Sequence, residues 1–143
     1  MGFMKTRTVK AVKMIIARCE PGEDLYVCLT KLVQDNNVRS GSFQAIGAVK
    51  RAKVGVFEHG KYEWVEHDGA LEISSCAGNV AIKEGKPFVH CHAVFGDNKG
   101  TIISGHVGDG CIVDPTAEIH MQIYEGEIKR RLDPGTGLWI LDI

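Results

Sequence analysis

Lys86-Pro87-Phe88-Val89-His90-Cys91-His92-Ala93-Val94-Phe95 leads into the turn formers Gly96-Asp97-Asn98-Lys99-Gly100, which are followed by Thr101-Ile102-Ile103-Ser104-Gly105-His106-Val107. Two β-favouring runs around a glycine-rich turn predict a β-hairpin. Alternate side chains of a strand share a face, so His90 and His92 point the same way, about 7 Å apart along the backbone. With Gly96 to Gly100 as the loop, Phe95 faces Thr101 and His90 comes opposite His106. Any other loop of odd length also keeps His106 on the histidine face. The other face, Val89, Cys91, Ala93, Phe95, Ile103 and Val107, is mostly apolar and reads as core.

Three imidazoles converging on one side of a hairpin are the donor set of a catalytic-type zinc site, with a fourth position open to water. The alternative is three hydrogen-bonded histidines lining a polar cleft. Half of the chain's six histidines on one hairpin face favours a divalent metal, zinc first. Cys91 lies between two of them but points to the opposite face, and is rejected as a ligand. The third alternating histidine of certain nucleotide hydrolases is missing, because Val94 stands there. The glutamate and second motif of a cupin are not clear either.

The 143 residues suffice for one compact domain, spanning 1–143, and are too few for two ordinary ones. A net charge of −1 gives no general attraction to nucleic acid or acidic lipid. Lys5, Arg7 and Lys13 read as a solvated face. Cys19, Cys28, Cys76, Cys91 and Cys111 include no C-x-x-C pair and read as reduced, mostly buried thiols of a cytoplasmic protein. With no signal core and no apolar run approaching 18 residues, neither standard secretion nor membrane spanning is expected.

Val9 to Arg18 reads as a strand. Asp24 to Asp35, with Leu25, Cys28, Leu29, Leu32 and Val33 at spacings of three and four, reads as the main helix. The remainder reads as strand: Ser42 to Val49 with a bulge or close approach at Gly47, then a hairpin of Ala52–Glu58 and Lys61–His67. Leu71–Cys76 and Asn79–Lys83 follow as short strands parted by Gly78. Thr116–Tyr124 and a final pair, Ile128–Leu132 and Leu138–Ile143, complete the chain. The expected class is α+β: one sheet-rich, largely antiparallel domain with one main helix.

Five segments in order, Gly41–Val49, Leu71–Asn79, Lys86–Ala93, Ser104–Val107 and Thr116–Ile119, resemble the plants and prokaryotes conserved (PPC) domain over nearly the whole chain. The resemblance implies a sheet-rich homotrimer. In plants the domain follows a DNA-binding AT-hook, and in prokaryotes it stands alone. No Arg-Gly-Arg-Pro core occurs here, so DNA binding does not carry over of itself. The His-x-His, turn, His arrangement is also similar to the zinc site of acetolactate decarboxylase, which bears on the metal rather than on that reaction. The expectation is a metal-binding protein of undetermined biochemical role with His90, His92 and His106 as ligands: either a lyase or hydrolase of small molecules, with Glu72 or Glu118 as acid or base, or a structural or ligand-sensing trimer whose metal only fixes the site. His120 stands near Glu118 as a further candidate. The competing expectation is a DNA-associated trimeric scaffold, with the Lys129-Arg130-Arg131 cluster as its basic patch.

Overall fold

The computed structural model describes residues 3–143; Met1 and Gly2, part of the start inspected for a signal core, lie outside the described residues. The elements are β1 (Ala11–Cys19), α1 (Leu25–Asp35), β2 (Gly41–Glu58), β3 (Lys61–Lys83), β4 (Lys86–Gly96), β5 (Ile102–Val107), β6 (Ile112–Tyr124), β7 (Lys129–Leu132) and β8 (Trp139–Asp142). The eight strands form one sheet in the order β1-β6-β2-β5-β4-β3-β7-β8, and β2 also pairs with β3. That extra pairing closes β2, β5, β4 and β3 on themselves, with the core inside. All pairings are antiparallel except β3 with β7. The balance is further toward β than an α+β description suggests, with one helix of 11 residues beside eight strands.

Where short strands are expected, two long ones run. β2 has 18 residues and β3 has 23, paired from Gly41↔Val80 to Glu58↔Lys61. The glycine read as a break, Gly78, is a point of close approach instead. A Cβ on Gly78 would lie 2.3 Å from the His90 carbonyl oxygen and 2.6 Å from both Cys91 Cβ and the Phe43 ring, so this glycine admits neighbours without interrupting the strand. Gly47 does mark a bulge, where β2 shifts register against β3 and β6. Its φ is +144°, and a Cβ there would lie 2.1 Å from the Thr116 carbonyl oxygen.

The interior is filled by alternate residues of the strands, among them Phe43, Val49, Leu71, Ile73, Val89, Phe95, Val107, Ile119 and Met121. The helix adds Leu25, Leu29 and Val33, and lies against β4 and β6. Asp24 caps it: one carboxylate oxygen accepts from the backbone N–H of Tyr26 (2.9 Å) and Val27 (3.2 Å), the other from that of Gly110 (2.6 Å). The backbone N–H of Leu25 donates to the Cys111 carbonyl. One aspartate thus both starts the helix and ties it to the segment leading into β6.

Replacing Asp24 with Ala should cost about 2 kcal/mol, the upper end for a lost cap, because the Gly110 bond goes with it. Gly47→Ala should cost more, about 2–4 kcal/mol, since overpacking adds to a strained φ. Urea midpoints of the two variants against the parent protein measure both, and the order Gly47→Ala below Asp24→Ala is expected.

Candidate metal centre

The hairpin forms, with its register two positions from the sequence expectation. His92 pairs with His106 and Gly96 with Ile102, so the partner of His106 is His92 rather than His90. The cause lies in the loop. The Asp97 carboxylate accepts from the backbone N–H of Lys99 and Thr101, each at 2.8 Å, and the Asp97 N–H donates to the Thr101 carbonyl at 3.1 Å. These bonds make Asp97 the first loop residue and Thr101 the last. The loop keeps five residues, so parity is preserved and all three histidines stay on the outer face.

Candidate nitrogens of His90, His92 and His106 lie within 4.8 Å of one another. Ring centroids are separated by 5.1 Å (His90–His92), 5.2 Å (His90–His106) and 5.8 Å (His92–His106). His92 is exposed and the other two are half-buried. Tyr62 packs on His106 at 4.8 Å between centroids, with the Trp64 edge beyond it at 6.3 Å. Burial first, then the Arg130 guanidinium, lowers the His90 pKa to about 4. Burial likewise lowers that of His106. Neutral imidazole is the form that ligates. His106 Nδ1 is buried with no hydrogen-bond partner among the described residues, so the cluster also holds an unsatisfied donor atom. The donor set and this unsatisfied nitrogen fit a divalent cation.

Cys91 faces the interior and is 1% exposed, as strand alternation requires. Glu72 pairs with Gly96, four residues along β4 from His92, at the rim of a different depression. Glu118 pairs with Ile46, nine residues along β2 from the Gly55 that pairs with His106, and His120 pairs with Gln44 farther along. The three histidines come together, and these candidates do not join them. A second grouping, Cys19, Glu23 and Cys28, also lies within 4.8 Å, but burial raises the pKa of both thiols and so disfavours the ligating thiolate.

Sequence reasoning passed over Arg130. Alternation along β7 sends Lys129 and Arg131 outward, to Glu127 and to Asp133 and Asp142, and turns Arg130 toward the histidines. Arg130 donates to the Trp139 carbonyl (2.8 Å) and to Asn79 Oδ1 (2.6 Å), with Nη2 3.5 Å from His90 Nδ1. The period-two pattern of Lys129–Leu132 was the available signal; reading the three cations as one patch concealed it.

Among known proteins, the family model described as the Plants and Prokaryotes Conserved (PCC) domain matches residues 6–125. A metal-containing protein of Archaeoglobus fulgidus superposes with a TM-score of 0.89 at 29% identity, covering 98% of this chain and 100% of that one. A candidate DNA-binding protein of Ralstonia eutropha superposes with a TM-score of 0.82 at 25% identity, over 90% of each chain. The bifunctional protein GlmU of a Synechococcus strain is 29% identical over 136 residues, which are 93% of this chain. The chain spans 20% of the length of that curated relative.

In metal-free protein, Arg130→Gln should raise the His90 pKa from about 4 toward the ordinary 6.5, because a neighbouring positive charge is removed. The His90 imidazole shift, followed by NMR against pH, reads this directly. The folded state holds His90 neutral more strongly than the unfolded state does. Its contribution to stability is therefore complete above pH 6.5 and lost as pH falls toward 4, and the variant should show a smaller loss over that window.

Proposed function

This chain belongs to the plants and prokaryotes conserved domain family, and from that footing we propose that it binds one divalent metal ion, zinc first, through His90, His92 and His106. The observation that carries the reading is the convergence of three imidazole nitrogens within 4.8 Å on one outer face. The metal-containing relative from Archaeoglobus fulgidus supports it. When bound, such an ion lowers the pKa of water to about 7 or polarises a carbonyl, the chemistry of a small-molecule hydrolase or lyase. The chain's own residues supply the setting. Tyr62 and Trp64 cover one side of His106, and Arg130 places positive charge beside His90. Glu72 and Glu118 stand too far along their strands for this reading to give either an acid–base role.

The proposed assembly is a homotrimer. It is supported by the apolar side chains that β1 and β2 expose on their outer face, Val12, Met14, Ile16 and Ile46, of which Ile16 is 69% exposed. The five cysteines are free thiols, in keeping with a cytoplasmic protein, and no helix among the described residues is long and apolar enough to cross a membrane. A DNA-associated role is the second reading, favoured by the likeness to the Ralstonia eutropha protein. Against it, Lys129 and Arg131 already pair with carboxylates, leaving the exposed Lys5, Arg7, Lys10 and Lys13 to meet phosphate.

Elemental analysis of protein purified without chelator should find about one zinc-like ion per chain. His92→Ala should weaken metal binding by more than about tenfold, while Cys91→Ala, altered on the interior face, should retain it. Metal retained by His92→Ala and lost by Cys91→Ala would reverse the assignment. In light scattering at micromolar concentration the mass should be that of three chains. Binding to duplex DNA, if any is measured at low salt, should fall steeply as salt rises.

A further inference from the structure

Beside the histidines lies a cleft of about 610 Å³, in the size range of small-molecule sites. His90, His106 and Asn79 line it together with aromatic and aliphatic side chains, among them Phe57, Tyr62, Phe88 and Trp139. Two cations line it, Lys83 and Arg130, and no aspartate or glutamate does.

That imbalance is particular to this place. Four lysines or arginines of the described residues are half-buried: Arg39, Lys53, Lys83 and Arg130. Arg39 pairs with Glu127 at 2.6 Å and Lys53 with Glu66 at 3.2 Å. Lys83 and Arg130 form no ion pair among the described residues. Lys83 Nζ is held instead over two rings, 4.9 Å from the Phe88 centroid and 5.2 Å from that of Trp139. Arg130 spends its bonds on a carbonyl and an amide, neither of which carries charge. A partly desolvated cation without a counter-charge is costly, and two in one cleft compound the cost. Lys83 has no hydrogen-bond acceptor among the described residues, so its three donors stay open beside the Phe88 and Trp139 rings.

We propose that this cleft binds a small organic carboxylate, its anionic end at Lys83 and Arg130 and its apolar body against Tyr62, Phe57 and Trp139. Carboxylate is preferred over phosphate because the lining beyond the two cations is aromatic and aliphatic, which suits an anion carried on an apolar body. The inference deepens the metal reading by naming the class of molecule that would lie beside the ion, but the charge argument stands on the cleft alone.

Calorimetric titration of the metal-loaded protein with acetate, isovalerate and cinnamate, each beside its neutral amide, and with inorganic phosphate, tests it. Affinity should rise from acetate to cinnamate, and cinnamate should bind more than about tenfold more tightly than cinnamamide, a difference of one half-buried ion pair. Lys83→Met should abolish most of that preference, whereas Lys86→Met, which removes an exposed lysine outside the lining, should leave it unchanged. Equal affinity for acids and amides, or phosphate binding as well as cinnamate, overturns the proposal. Repeating the titration after chelation separates the two readings: a carboxylate preference that survives supports the cleft on its own charges, one that vanishes with the metal refutes it, and absence of metal from protein purified without chelator refutes the ion alone. Full metal occupancy with no preference for carboxylates refutes the cleft alone.

Discussion

The long ladder between β2 and β3 is the contact from which the remaining structure follows. It runs antiparallel from Gly41↔Val80 to Glu58↔Lys61, and each strand changes its other neighbour part-way. β2 meets β6 along its first part and β5 at Val54 and Gly55. β3 meets β4 from Glu72 onward, and β7 at Ile82. Two strands that serve four neighbours must bend, and the register shifts at Ala45/Gly47, Val49/Arg51 and Ile73/Ser75 are where they do so. Bulges bend strands and raise local twist, which lets an eight-stranded sheet curl until β2, β5, β4 and β3 form a closed wall.

Closure divides the side chains of every strand in the wall into inside and outside, and on the β4–β5 hairpin that division separates stability from chemistry. Val89, Cys91, Ala93, Phe95 and Val107 fill the interior. His90, His92 and His106 have nowhere to point but outward, toward a surface shielded by Tyr62 and Trp64 from β3 and by the β7–β8 hairpin. A mutation inside therefore acts through packing, and one outside through the site. The same division explains why Cys91, flanked by two candidate ligands in the chain, is remote from them in chemistry.

The outer side of the wall also carries an electrostatic asymmetry. Arg39 and Lys53 are each matched by a glutamate, and the exposed cations of β7 by Glu127, Asp133 and Asp142. Beside the histidines, Lys83 and Arg130 are left to rings, a carbonyl and an amide. Burial first, and the Arg130 charge after it, disfavour protonation of His90, so the arginine that helps keep an imidazole neutral also leaves an anion wanting.

Local chemistry made much of this legible from residue order alone. The three-four spacing of Leu25, Cys28, Leu29, Leu32 and Val33 after acidic residues suited to a helix start specifies α1. The period-two alternation around His90 and His92 specifies which face is core, and five turn-rich residues between two runs specify that His106 returns to the histidine face. These are short-range rules, and they survive a loop displaced by one residue because parity depends on loop length being odd. The exact partner of His106 depended on how the Asp97 carboxylate is bonded within the loop. The joining of Leu71–Cys76 to Asn79–Lys83 within β3 depended on whether Gly78 was a break or a place where Phe43 and Cys91 crowd the backbone. The positions of Glu72 and Glu118 far along their strands, and of Arg130 beside His90, depended on which strands meet across the sheet. Residues 40 apart in the chain are brought together by the path of the whole sheet, which no local pattern encodes.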